Sequence, residues 1–269
     1  MPNRPDDKAI AIIPARLGST RFPRKALADE TGKPMVVHVC EQAAKAESVN
    51  RVVVATDAEE IKSAVEIHGF EAVMTSVEHT NGTSRLAEAS ELLSLHKHQV
   101  IINVQGDEPE INPSTIDAAF DALCPIKGPS ERAVGTVVCP IDTDADFENP
   151  NVVKAVMTDS KITRPAENDE QISIGKALYF SRSPVPYPRE QTSRPSYRHV
   201  GIYAYTSESI MSYLTWKPSS LERTESLEQL RWLDHDHRIY AAIIEAPHTG
   251  IDTPEQYRSF VERFKAAQS

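Results

Sequence analysis

Residues 9–25 read Ala-Ile-Ala-Ile-Ile-Pro-Ala-Arg-Leu-Gly-Ser-Thr-Arg-Phe-Pro-Arg-Lys. An apolar strand (Ile10, Ile12, Ile13) runs directly into a loop bearing Arg16, Arg21, Arg24 and Lys25. Open α/β sheets bind phosphates at the carboxyl ends of their strands. Gly18 and Ser19 let the backbone approach an anion, while guanidinium and ammonium groups supply the counter-charge. Pro14 and Pro23 stiffen the loop, which sets it apart from a merely solvated basic turn. Neither G-x-x-x-x-G-K-S/T nor G-x-G-x-x-G is present, so the pattern is not a P-loop or a dinucleotide fingerprint. It reads as a nucleoside triphosphate grip of another design.

Working outward, short apolar runs at 51–56, 72–74, 100–104 and 133–138 alternate with helical periodicity at 36–46, 58–68, 83–95 and 113–123. That alternation marks βαβ units and a largely parallel sheet. Pro34 suits the position just before the first helix, and Asp57 reads as the N-cap of the second. Past residue 140 the pattern changes. Strand-like stretches at 152–158, 177–180 and 200–205 are separated by Pro-rich turns, and the three prolines in 183–189 exclude a central strand there. Residues 163–174 read as a mobile surface loop, followed by a helix at 220–234, a strand at 239–244 and a helix at 253–267. The expected fold class is α/β, Rossmann-like, with a mainly parallel mixed sheet sandwiched by helices. We expect one domain over 1–269, with 150–217 inserted in it as a smaller lobe that also makes a subunit contact.

The formal charge is −10, from 39 acidic against 29 basic residues. This disfavours a nucleic-acid coat or docking on an anionic membrane, both of which want a basic face. No apolar run approaches the roughly 20 residues of a membrane span, and the polar, Pro-rich first residues lack a signal-peptide core. Cys40, Cys124 and Cys139 are widely spaced and odd in number, which argues against a disulfide framework or zinc site. The expected compartment is the reducing cytoplasm.

Four further constellations carry chemistry. In Val100-Ile-Ile-Asn-Val-Gln-Gly-Asp-Glu-Pro109 an apolar strand ends on Asp107 and Glu108, at the edge that carries the cationic loop. A carboxylate beside a triphosphate suits Mg²⁺, which takes one or two carboxylates plus phosphate oxygens and water. Asp252, in Gly250-Ile-Asp-Thr-Pro-Glu255, is either a second such carboxylate or an N-cap. His79-Thr-Asn-Gly-Thr-Ser-Arg85 offers Gly82, Thr83 and Ser84 as donors to a base or ribose, or as a simple cap at Thr83 or Ser84. Residues 177–182 and 197–205 pair aromatic side chains with Arg182, Arg198 and His199, and alternation puts His199 and Tyr203 on one face. Guanidinium groups there suit an acidic second substrate. Glu225, Glu228 and Gln229 read by default as a solvated helical face. No motif supplies a protein nucleophile, and direct displacement on phosphorus needs none.

Taken in order, the strings Ile-Pro-Ala-Arg16…Ser19-Thr-Arg21…Pro23…Lys25, Val54-Ala-Thr-Asp57, Asn103-Val-Gln-Gly-Asp-Glu-Pro109, Asn149-Pro-Asn151, Tyr179-Phe-Ser-Arg182, Arg198-His-Val-Gly-Ile-Tyr203, Ser226-Leu-Glu-Gln-Leu-Arg231 and Asp252-Thr-Pro-Glu255 resemble the 3-deoxy-manno-octulosonate (Kdo) cytidylyltransferases. The resemblance runs from about residue 8 to 262. It implies a nucleotide-diphospho-sugar transferase-like fold, a homodimer, and transfer of CMP from CTP to the sugar acid Kdo for lipopolysaccharide assembly. It also implies roles. Arg16, Ser19, Arg21 and Lys25 would hold the triphosphate, Ala15 and Arg85 would help select cytosine, and Asp107 and Asp252 would carry Mg²⁺. Lys25, Arg16, Asp107 and Asp252 would be catalytic. Gln105, Arg182, His199, Tyr203, Glu228 and Gln229 would line the sugar-acid pocket, Gln105 serving CTP as well. Ser84 stands where the family has an acidic residue, and Arg24 and Ala26 replace Gly and Pro. A sialic-acid or modified-Kdo cytidylyltransferase is the neighbouring enzyme reading. A catalytically inactive nucleotide-binding protein is the reading outside enzymes.

Overall fold

The computed structural model describes residues 8–18, 21–79, 81–123, 132–165, 171–190, 196–245 and 250–268. The chain forms two compact units, Met1–Ile116 with His248–Ser269, and Asp117–Pro247. The second unit therefore starts well before residue 150 and takes in the strand expected at 133–138.

In the first unit, β1 (Ala9–Ala15) leads to α1 (Met35–Ala43), β2 (Val49–Thr56), α2 (Glu59–Ile67), β3 (Glu71–Met74), α3 (Gly82–Leu92), β4 (Val100–Asn103) and α4 (Pro113–Leu123), which crosses into the second unit. The strands pair in the order β3-β2-β1-β4, all parallel. Both faces of β1 are covered, and Ala9 through Ile13 are all buried. This is why the strand reads as an unbroken apolar run rather than as an alternation. Pro34 directly precedes α1. Asp57 is not the cap of α2. The N-cap there is Ala58, without a side-chain bond, and the Asp57 carboxylate turns instead to Arg85.

The second unit contains β5 (Ala133–Pro140), α5 (Asp144–Glu148), β6 (Lys154–Pro165), β7 (Gln171–Ser181), β8 (Tyr197–Thr206), α6 (Ser207–Thr215), α7 (Ser220–Glu225), α8 (Gln229–Asp234) and β9 (Arg238–Ile243). Among the described residues β5–β9 is parallel, while β5–β8, β6–β7, β6–β8 and β7–β9 are antiparallel. The fold class is thus the expected one, α/β with mixed, mostly parallel strands flanked by helices.

Two expectations are corrected here. Residues 163–165 and 171–174 are not loop but strand, paired from Thr163↔Ser173 to Pro165↔Gln171. The polar sequence hid them because the ladder bonds are made by backbone, whatever the side chains. The segment between, 166–170, lies outside the described residues. The single helix expected over 220–234 is two helices, since Ser226 adopts a left-handed backbone (φ 53°) that ends α7. Residues 183–189 form no strand, as their prolines require.

Gly135 shows how tightly β5 is covered: a Cβ there would lie 2.3 Å from the Ala119 carbonyl and 2.6 Å from the Leu123 amide. Backbone cannot yield cheaply, so Gly135→Ala should destabilise the protein by about 1–3 kcal/mol through overpacking. The urea midpoint checks this, and an unshifted midpoint would contradict it.

The last helix, α9 (Pro254–Ala266), returns to the first unit. Tyr257, Phe260 and Val261 pack with Met35 and Ile251, and Phe22, Ala28 and Phe264 join them. The Tyr257 hydroxyl accepts from the Glu30 amide at 2.9 Å, and its ring lies 5.5 Å from that of Phe22. A helix late in the sequence thus buttresses the segment that follows the first strand.

Candidate active site

Three groups distant in sequence meet in the first unit. Lys25 Nζ donates to Asp107 Oδ2 at 2.8 Å and to Asp252 Oδ1 at 3.2 Å. Each is placed by its own local device. Lys25 opens a short 3-10 turn, Lys25–Leu27, entered through a left-handed Arg24 (φ 58°). Asp107 follows Gly106, where a Cβ would lie 2.7 Å from the Pro14 carbonyl, so only glycine lets the end of β4 pass this close to β1. The Asp107 carbonyl accepts from the Ile251 amide at 2.8 Å, which brings the segment containing Asp252 alongside.

Asp252 had two readings in the sequence, and the structure separates them. Thr253 is the N-cap of α9 and forms a reciprocal capping box with Gln256. The Asp252 carboxylate is therefore not needed by the helix. It pairs with Lys25 and, through Oδ2, with Arg21 at 3.0 Å. Glu108 differs from its neighbour: burial, aided by the Asp107 charge, pushes its carboxyl up to about 8.

The other first-unit candidates fall as follows. Ala15 is buried at the end of β1. Arg16 is exposed, and among the described residues no group is bonded to it. Ser19 lies outside the described residues. Arg24, one of the four loop cations, pairs with Glu60. Gln105 is half-buried, one residue past the buried Val104 that follows β4. Arg85 is only 3% exposed, and its guanidinium donates to Asp57 at 2.7 Å and Thr75 at 2.6 Å. The cap of α3 is Asn81, which accepts from the Ser84 amide at 2.8 Å, so neither Thr83 nor Ser84 caps it. Ser84 Oγ lies 3.0 Å from His79 Nδ1, and His79 also pairs with Glu88.

Arg182, His199, Tyr203, Glu228 and Gln229 all belong to the second unit. Arg182 follows β7, and its guanidinium donates to the Glu225, Pro150 and Ser226 carbonyls at 2.7, 3.0 and 3.4 Å. Most of that cation's hydrogen bonding goes to the fold. Glu225 is not on a solvated face. Its carboxylate accepts from Ser181 Oγ at 2.7 Å and from the Arg182 amide at 2.9 Å. His199 and Tyr203 do share a face, with ring centroids 5.3 Å apart. Burial lowers His199 to about 3 and holds the Tyr203 phenol protonated. Gln229 is 4% exposed, and among the described residues its Nε2 has no hydrogen-bond partner. A buried amide donor without an acceptor costs on the order of 1–3 kcal/mol, which a water or a ligand oxygen would offset.

Sequence reading missed three supporting residues. Asp57 was visible in Val-Ala-Thr-Asp57 but was read as a cap. Fully buried Lys154 donates to the Asn149, Val152 and Arg182 carbonyls at 2.9, 2.6 and 2.6 Å, tying Asn149-Pro-Asn151 to the end of β7. A lone lysine at a strand start gives no signal of this. Arg231 forms a bidentate buried pair with Glu222 and stacks 4.1 Å from the Tyr213 ring centroid, again a contact between separate helices.

A parallel sheet that gathers an arginine-bearing loop, a lysine and two aspartates beyond its first and fourth strands is the frame of a nucleotidyltransferase. Residues 10–239 match the model of the cytidylyltransferase family. The chain is 44% identical over 257 residues to the 3-deoxy-manno-octulosonate cytidylyltransferase of Polynucleobacter necessarius, covering 93% of this chain and 94% of that one. It is 44% identical over 254 residues to the same-named protein of Idiomarina loihiensis, covering 91% and 93%. A solved CMP:2-keto-3-deoxy-manno-octonic acid synthetase complexed with CTP superposes with TM-score 0.83 at 35% identity, covering 97% of this chain and 99% of that one. A cytidylyltransferase structure from Leptospira borgpetersenii, with TM-score 0.57 and 14% identity over 97% and 87%, shares the fold. The chain belongs to the 3-deoxy-manno-octulosonate cytidylyltransferase family.

Proposed function

We propose that this protein transfers CMP from CTP to the anomeric hydroxyl of Kdo, releasing pyrophosphate and supplying an activated sugar acid for lipopolysaccharide assembly. The observation that carries this reading is the convergence of Lys25, Asp107 and Asp252 on one point, in a chain that matches this family along almost its whole length.

The two carboxylates fit Mg²⁺. Both reach a single cation, and among the described residues no cluster of three or more His, Cys, Asp or Glu could hold a metal. A site of two oxygen ligands suits a hard ion completed by phosphates and water, and does not suit zinc. When bound, Mg²⁺ supplies charge neutralisation and a lowered pKa for the attacking hydroxyl. The protein's own part is to position and to balance charge. Asp107 and Asp252 hold the ion, Arg16 and Arg21 hold the triphosphate, and Lys25 places a fixed positive charge where negative charge develops. Arg85, locked by Asp57 and Thr75, presents a rigid edge for selecting cytosine together with Ala15. To the sugar acid we assign Arg182, His199, Tyr203, Glu228 and Gln229. We extend the proposal to a cytoplasmic homodimer. Among the described residues no helix is long and apolar enough to cross a membrane.

Pyrophosphate release measured with a panel of nucleoside triphosphates and acidic sugars tests the reading. Release should require CTP and Kdo, disappear with a chelator and return with Mg²⁺. Release with sialic acid in place of Kdo would transfer the assignment to the neighbouring enzyme. CTP binding with no release under any pairing would make the protein a binder.

A further inference from the structure

The Thr136 hydroxyl is fully buried and faces three groups. The Ile202 carbonyl lies at 2.8 Å, the Val200 carbonyl at 3.4 Å and His199 Nε2 at 3.0 Å. The β5–β8 ladder creates this crowding. Thr136 pairs with Tyr203 and Val137 with Val200, so the register slips between them and two carbonyls of β8 turn toward one side chain. Bulges of this kind re-aim side chains next to functional sites.

A hydroxyl owns one hydrogen, and a carbonyl can only accept. The two carbonyls therefore claim the Thr136 hydrogen, and Oγ1 meets the imidazole with a lone pair. Nε2 must carry the ring proton and donate it to Oγ1. In a neutral imidazole this leaves Nδ1 bare, an acceptor. Among the described residues nothing is bonded to Nδ1. The ring plane is fixed by the Phe180 edge, 4.9 Å away, and by Tyr203.

We propose that Thr136 is a positioning residue, which locks His199 as its Nε2–H tautomer so that Nδ1 accepts a hydroxyl of the sugar acid and does not pair with its carboxylate. The proposal rests on the reading of His199 as a sugar-facing residue. Burial keeps the ring uncharged at working pH, which agrees with a partner that donates a hydrogen.

The test combines a spectroscopic and a kinetic readout on the full chain. In ¹⁵N-histidine-labelled protein, His199 should show a pyrrole-like Nε2 and a pyridine-like Nδ1. Thr136→Val, which keeps the shape but removes the acceptor, should mix the two tautomers. It should also raise KM for Kdo more than tenfold and leave KM for CTP unchanged, and Thr136→Ser should restore both. A pyridine-like Nε2 in the unmodified protein overturns the proposal whether or not the valine variant folds. So does a Thr136→Val protein with unchanged tautomer and unchanged KM. Should Kdo prove not to be the substrate while the tautomer still responds to Thr136, the functional reading fails and the positioning role stands.

Discussion

Replacing Asp107 with alanine should abolish turnover and leave a folded protein. The backbone of this residue is held independently of its carboxylate, through the Ile251 amide and through the close approach that Gly106 permits. What disappears is one of two acidic groups that meet at Lys25. Charge stabilisation in a preorganised site is worth roughly 10²–10³ in rate for a single donor. Losing a ligand to the ion that neutralises phosphate charge should cost at least as much. Pyrophosphate release measures the loss, and near-ultraviolet circular dichroism with a melting curve verifies the fold. An unchanged kcat would remove Asp107 from the mechanism.

The second large effect is expected at Lys25. Its ammonium is the counter-ion of both carboxylates, at 2.8 and 3.2 Å. Lys25→Met removes this charge while retaining most of the apolar stem. A hydrogen bond to a charged group contributes about 1.5–3 kcal/mol, so kcat should fall more than tenfold. A rise in KM alone would instead make Lys25 a ground-state binder. The same variant leaves Asp107 and Asp252 without their shared cation. A unit charge 4 Å away is worth about 1–4 kcal/mol across effective dielectrics from 80 to 20. Affinity for Mn²⁺ alone, measured by calorimetry without nucleotide, should therefore tighten on the order of tenfold. Weaker Mn²⁺ binding by Lys25→Met would show that the lysine does not occupy the place of a metal charge.

How much of this was readable from residues alone depends on where the information resides. The first-unit strands were legible because parallel strands buried on both faces are written as apolar runs, as in residues 9–13. The loop cations and Asp107 were legible because each directly follows such a run. Asp252 was legible only as a choice, since a carboxylate before Thr-Pro looks the same whether it caps a helix or faces a lysine. The capping box of Thr253 with Gln256 decides that choice; its spacing stands in the sequence, but that both reciprocal bonds form is seen only in the fold. The inner parts of β6 and β7 were legible as strands, but 163–165 and 171–174 were read as loop because backbone pairing does not need apolar side chains. Thr136 was invisible for a related reason: its role depends on a slipped register between two strands about sixty residues apart. Asp57 was misread because cap and ion-pair partner call for the same residue type after a strand.

The helix that buttresses the segment after the first strand is drawn from the far end of the sequence. Phe22 and Ala28 rest on a cluster that includes Ile251, Tyr257 and Phe260, and Asp252 sits just before that helix. During synthesis, then, the nucleotide-gripping half cannot be completed when its own strands emerge. It must wait until some 130 intervening residues of the second unit have left the ribosome. A nascent chain stalled before residue 250 would hold the cationic loop without its packing partner or its second aspartate, so capacity for chemistry arrives only once the α9 segment has been made.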